Sequence, residues 1–139
     1  MPLRLTLRNH SSVPIEVDTV RLAAVRQQTP EQVQAIEVLH GNVREPLGTF
    51  FDARGSAERD NTLVWEGDCR GIKRIALELD QGCVRVEGNA GMHLGAEMTG
   101  GEVVVEGDAT DWVGGEMHGG RIHVHGNVGH QLGAVYRGG

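Results

Sequence analysis

Two cysteines in 139 residues are too few to staple a small domain, so a disulfide framework is excluded and free thiols in a reducing compartment are expected. No run of 18 apolar residues exists, and the amino terminus does not read as a signal peptide, so the expectation is a cytoplasmic protein. Aromatics are scarce: two tryptophans, two phenylalanines and one tyrosine. With 19 acidic residues against 13 basic ones, a formal charge of −6 and no basic cluster to neutralise phosphates, a nucleic-acid surface is not expected. Common enzyme signatures are missing as well. There is no GxxxxGK phosphate loop, no GxSxG elbow and no CxxC pair.

What the chain has in excess is glycine, 21 in all, and its placement is periodic. Cys83 to Gly101, Glu102 to Gly120 and Arg121 to Gly139 align without a gap as CVRVEGNAGMHLGAEMTGG, EVVVEGDATDWVGGEMHGG and RIHVHGNVGHQLGAVYRGG. A looser copy precedes them in Thr62 to Gly82, with two residues inserted in its middle. Periods near 20 residues mark a solenoid, in which no unit buries its apolar face alone.

The start of each block decides between strand and helix. Val84 and Val86, Val103 and Val105, and Ile122 and Val124 alternate with Arg85, Val104 and His123, a period of two carried by β-branched residues. The glycines oppose a helix, each costing about 1 kcal/mol there relative to alanine. The expected fold is therefore mainly β: a right-handed, single-stranded β-helix of about 19-residue coils, stacked at about 4.8 Å. Inward columns are Val84/Val103/Ile122, Val86/Val105/Val124, Ala90/Ala109/Val128, Leu94/Val113/Leu132 and Met98/Met117/Tyr136. Gly67, Gly88, Gly91, Gly95, Gly107, Gly114, Gly126, Gly129 and Gly133 are read as corners, with positive φ expected along the glycine columns. Asp68, Asn89, Asp108 and Asn127 form a column beside them, read as turn chemistry. The register points Cys69 inward beside Ala90 and Cys83 outward.

Residues 1–60 follow a different grammar and are read as a small α+β cap covering the open edge of the first coil, with 61–139 as the β-helix. Leu3, Leu5 and Leu7 alternate with polar residues, Ile15 to Val17 offers a second strand, and Val20 to Gln27 a partial helix. The principal helix is expected to start at Thr29, whose hydroxyl and Gln32 make a capping box around Pro30, and to run along Val33, Ile36 and Leu39 to Gly41. Pro46 to Phe51 is expected as a strand and Asp52 to Asp60 as a polar link. The chain stops on Gly138-Gly139 at the close of a repeat. The expectation is a truncated solenoid, the other reading being end-to-end association through the uncapped last coil.

Three outward groups could carry function. Glu66, Glu87 and Glu106 stack in a column that ends in His125, a setting for acid-base work or a cation, and otherwise a solvated face. His118, His123 and His125 cluster, but no cysteine or carboxylate is spaced to complete a zinc site. No catalytic, cofactor-binding or metal-ligating residue is therefore assigned. Trp112 stands in the column His93/Trp112/Gln131 and is read, with Val104, as a candidate partner contact.

The blocks GNAGMHLG (Gly88 to Gly95) and GNVGHQLG (Gly126 to Gly133) have the form GxxGxxxG. Serial coils of this kind resemble the family uniting the C subunit of formylmethanofuran dehydrogenase with the C-terminal domain of the glutamate synthase large subunit. The middle block departs from the pattern at Thr110. The lead-in, LRLTLR and then EPLGTFFDARGS (Glu45 to Ser56), is similar to the dehydrogenase branch, which includes the matching subunit of formyltransferase/hydrolase complexes. That resemblance implies a non-catalytic structural subunit of a one-carbon enzyme complex, in methanogenesis or methylotrophy. It implies partners that are amidohydrolase-like with a dinuclear metal site, a formyltransferase, or a tungsten or molybdenum pterin protein, and no cofactor in this chain. A stand-alone glutamate-synthase-type spacer is the alternative. A hexapeptide-type transferase would need a six-residue apolar repeat, which the 19-residue period lacks.

Overall fold

The computed structural model describes residues 2–8 and 12–129. Strands β1 (Leu3–Leu7) and β2 (Ile15–Glu16) lead to two short helices, α1 (Leu22–Val25) and α2 (Pro30–Gln34). Strands β3 (Glu37–His40), β4 (Val43–Pro46) and β5 (Phe51–Arg54) follow. The remaining strands are β6 (Thr62–Glu66), β7 (Ile72–Lys73), β8 (Cys83–Glu87), β9 (Thr99–Val105) and β10 (Gly119–Val124).

The chain is a β-solenoid, because β6, β8, β9 and β10 pair in parallel, each one coil further along. Thr62 lies beside Cys83, Cys83 beside Glu102 and Glu102 beside Arg121. The last two steps are 19 residues, as the repeats predict, but the first is 21. The two extra residues have a use. They loop out around β7, which pairs in parallel with β2, so that Ile15 N–H donates to the Gly71 carbonyl (2.9 Å) and Val17 N–H to that of Lys73 (3.0 Å).

The inward columns are those expected: Val84, Val86, Val103 and Val105 are buried, as are Leu94, Val113 and Met98. A second wall is marked by successive single bridges, Cys69 to Ala90, Ala90 to Ala109 and Ala109 to Val128. In the first coil the column of Val86 is filled by Trp65, fully buried and edge-on to Phe51 at 5.1 Å. Leu132, Gly133 and Tyr136 lie outside the described residues.

β1 runs parallel to β6 and antiparallel to β5, so the amino-terminal strands extend the solenoid sheet in the order β10-β9-β8-β6-β1-β5. A second sheet, β4-β3-β2-β7, shares its hydrophobic cluster. Gln34 of α2 accepts the Ala53 N–H of the terminal strand β5 at 2.7 Å, satisfying a donor that an edge strand leaves open.

Four expectations for residues 1–60 fail. The capping box at Thr29 and Gln32 is present, but α2 ends at Gln34, and Leu39 belongs to β3, so there are two short helices rather than one principal one. Gly41 (φ +63) is not a helix stop. With Asn42 it forms the two-residue turn of the β3–β4 hairpin, where glycine at the first central position gives the twist the strands need. Pro46 to Phe51 is no strand, since Leu47–Thr49 is a single 3-10 turn, and Asp52 to Arg54 belong to β5 rather than to a link. Helical spacing of Val33, Ile36 and Leu39 is ambiguous over one turn, and long-range pairing decides it.

Candidate functional site

On the outer face of the solenoid sheet the column Glu66, Glu87 and Glu106 does not stand as bare carboxylates. Register sets Arg4 opposite Val64, Val64 opposite Arg85 and Arg85 opposite Val104. From that neighbouring row Arg4 Nη1 donates to Glu66 Oε1 at 2.5 Å and to Glu87 Oε1 at 2.7 Å, and Arg85 pairs with Glu106. The two carboxylate bonds hold the Arg4 guanidinium above its ordinary range. The arginine stems also explain Val64, which faces outward by register and yet is 1% exposed. His123 and His125 sit side by side, ring centroids 4.7 Å apart. The three carboxylates of the column are thus charge-compensated by arginines of the neighbouring row.

At the first corner the Asp/Asn column does more than local turn chemistry. Asp68 bonds its own turn through Arg70 N–H (3.3 Å), and the Arg70 guanidinium, at 2.7 Å, holds its carboxyl below the usual range, helped by Asn89. Asn89 and Asp108 instead reach the next coil: Asn89 Oδ1 accepts the Asp108 N–H and Asp108 Oδ1 the Asn127 N–H, both at 2.8 Å. The corner glycines are of two kinds. Gly67, Gly88, Gly95 and Gly114 have positive φ. Gly91, Gly107, Gly126 and Gly129 do not, which for Gly107 and Gly126 corrects the positive φ expected of the glycine columns. They are glycine because a Cβ would meet the neighbouring coil, at 2.1 Å from the Ile72 carbonyl oxygen for Gly91.

Left-handed backbone also appears where no glycine stands. Arg74, His93 and Trp112 form one such row (φ +61 to +67), and Glu78, Glu97 and Glu116 another (φ +54 to +56). Trp112 is half-buried rather than free on the surface, stacked on His93 with ring centroids 5.9 Å apart and planes 22° apart. Burial, followed by nearby Arg74 and Lys73, pushes the His93 imidazole below its ordinary pKa. Val104 is half-buried between Arg85 and His123.

Sequence reasoning missed one surface. The three large hydrophobic side chains most exposed among the described residues, Val13 (41%), Leu39 (36%) and Val43 (59%), gather at the β3–β4 hairpin. Val13 reaches the turn, its Cγ1 lying 2.8 Å from where a Cβ on Gly41 would be. On the same hairpin His40 Nδ1 meets Glu45 Oε2 at 2.5 Å and packs edge-on against Phe50 at 4.9 Å. The available signal was Gly41-Asn42 between two short alternating runs, a hairpin motif.

No protein-family model matches the chain. Curated relatives do. The C subunit of the tungsten-containing formylmethanofuran dehydrogenase 2 of Methanothermobacter wolfeii is 34% identical over 95 residues, covering 66% of this chain and 35% of the relative. The C subunit of the molybdenum-containing formylmethanofuran dehydrogenase 1 of Methanothermobacter marburgensis is 34% identical over 91 residues, covering 66% and 23%. Among solved structures, a chain of the formyltransferase/hydrolase complex (FhcABCD) from Methylorubrum extorquens, crystallised with methylofuran, superposes with a TM-score of 0.87 at 28% identity. The match covers 96% of this chain and 50% of that one. This chain belongs to the family of formylmethanofuran dehydrogenase C subunits.

As a C-subunit homologue it spans about a third of the tungsten-type relative's length and about a quarter of the molybdenum-type one's. Those relatives are named for their metals, and the donors described here do not fit such a centre. Among the described residues no three His, Cys, Asp or Glu side chains gather as metal ligands. Cys69 is sealed in the coil wall, where burial pushes its thiol up to about 12, far from the thiolate a metal binds. Cys83, half-buried on the outer face, is also raised by burial and then by Glu102. Among the described residues no helix is long and apolar enough to cross a membrane.

Proposed function

We propose that this C-subunit homologue is a structural, non-catalytic part of a formylmethanofuran dehydrogenase or formyltransferase/hydrolase complex in one-carbon metabolism. The superposition that covers 96% of this chain on a chain of FhcABCD is the observation that carries the reading. The chemistry of the surface supports it. The outer carboxylates are paired with Arg4 and Arg85, the buried thiol is neutral, and the aliphatic columns make a stiff rod suited to holding other subunits apart and in register.

Within this reading residues 1–60 are a cap and 61–139 the solenoid, the cap closing the first coil by laying β1 along β6 and β5 along β1. Catalytic subunits of amidohydrolase-like, formyltransferase or pterin-metalloprotein type are its partners. Val104 and Trp112 are contact residues on the solenoid. The metals belong to those partners and the chain works in the cytoplasm.

The test is to tag the natural full-length protein in its source cells, isolate it and identify what accompanies it. Formyltransferase and hydrolase subunits, or a pterin dehydrogenase, are expected in stoichiometric amounts. Isolation alone, or with glutamate synthase components, overturns the reading.

A further inference from the structure

Among the described residues, the exposed large hydrophobic side chains gather at the β3–β4 hairpin. Its sheet ends on β4, whose four residues are exposed or half-buried, and its tip carries aliphatic side chains on both faces. Leu39 lies opposite Arg44 on one face, and Val43 opposite His40 on the other. Three exposed aliphatic side chains gathered at one hairpin, left open by the described residues, mark a place where another molecule docks.

Hydrogen-bond parity narrows the occupant. The two-residue turn makes His40 and Val43 a bonded pair, and the Leu39–Glu16 and Gly41–Pro14 contacts to β2 agree with it. Arg44 therefore turns its N–H and carbonyl to the open edge, while Pro46, the next residue of that parity, has no N–H to offer. A second copy would have to set Arg44 against Arg44, so like charges oppose self-pairing. The Arg44 side chain has no hydrogen bond or ion pair among the described residues. The nearby acids are engaged differently: Glu16 and Asp18 lie 3.6 and 3.8 Å from Arg74. Beside Leu39 and Arg44 runs a groove of about 280 Å³ bounded by Glu37 and Thr19. An unpaired arginine flanked by exposed aliphatics has the composition of an interface hot spot.

We propose that the β3–β4 hairpin is a docking arm: its apolar tip, Val13, Leu39 and Val43, enters an apolar socket on a catalytic subunit, and Arg44 meets a carboxylate at that socket's rim. The inference rests on the functional reading above and adds to it which surface of this chain makes the joint and what chemistry the partner must present.

The test uses the natural full-length protein and its purified formyltransferase and hydrolase subunits, with affinity read by titration. Leu39→Asp with Val43→Asp, and separately Arg44→Glu, are expected to weaken binding at least tenfold. All three sites are exposed, and thermal melting within a few degrees of wild type shows that the variants fold. Wild-type binding retained within twofold by both variants overturns the docking arm and leaves the functional reading standing. A wild-type chain that binds neither subunit overturns both.

Discussion

Asn89 and Asp108, one coil apart, are joined by a bond in which the Asp108 amide donates to the Asn89 side-chain oxygen at 2.8 Å, and Asp108 repeats the gesture toward Asn127. The corner thus carries a side-chain ladder parallel to the strand ladders. Because Asn89 Oδ1 also stands 2.4 Å from where a Cβ on Gly107 would be, the same bond explains why glycine recurs beside it.

Removing that acceptor leaves a backbone donor with water at best. Asn89→Ala is expected to cost about 1 kcal/mol, measured by denaturant unfolding, and Asn89→Asp less, since it keeps the accepting oxygen.

The two kinds of glycine separate by substitution. Gly91→Ala introduces a Cβ against the Ile72 carbonyl oxygen, backbone that cannot step aside, and is expected to cost more than about 2 kcal/mol or prevent folding. Glu97→Gly does the reverse. At φ +56 and exposed, the residue stores left-handed strain, and glycine is expected to raise the unfolding free energy slightly, by about 0.5 kcal/mol, seen as a small rise in melting temperature.

Leu94, fully buried in the middle of the stack, tests the core. Leu94→Ala is expected to lose about 2–5 kcal/mol through lost burial and a cavity, whereas Leu39→Ala at the exposed hairpin should lose well under 1 kcal/mol.

His93 makes stability depend on pH with a definite sign. Burial lowers its folded pKa below the unfolded value of 6.5, so the unfolded chain takes up the proton first. Stability from this residue is complete above about pH 6.5 and declines as pH falls through that value toward the folded pKa. Unfolding measured between about pH 7.5 and 5 should show the decline in wild type and a shallower one in His93→Gln.

Periodicity made the solenoid legible because each coil repeats its neighbour's environment, so a residue's column is its address. Val84, Leu94, Ala90 and Met98 could be assigned inward for that reason, and the FhcABCD superposition agrees with the fold. Thr29 and Gln32 were legible because a capping box is local. Leu39 was not, since one helical turn and a short strand share its pattern and only pairing with β2 and β4 separates them. The glycine columns gave corners but not the cause. Gly91 and Gly107 are required by the approach of the adjacent coil, which no single-coil pattern reveals. The pairing of the carboxylate column was not legible because one of its cations, Arg4, stands 62 residues before Glu66 and both come from the neighbouring row.

The proposed structural role, in which the chain supplies no catalytic group, is tested most directly by formate release from the proposed complex. Purified catalytic subunits are assayed by themselves and together with the natural full-length homologue, and the homologue is assayed in isolation. A structural role predicts no activity from the isolated homologue and assembly-dependent activity when it joins the others. Catalysis by the isolated homologue, or full activity and full assembly in its absence, would contradict that role.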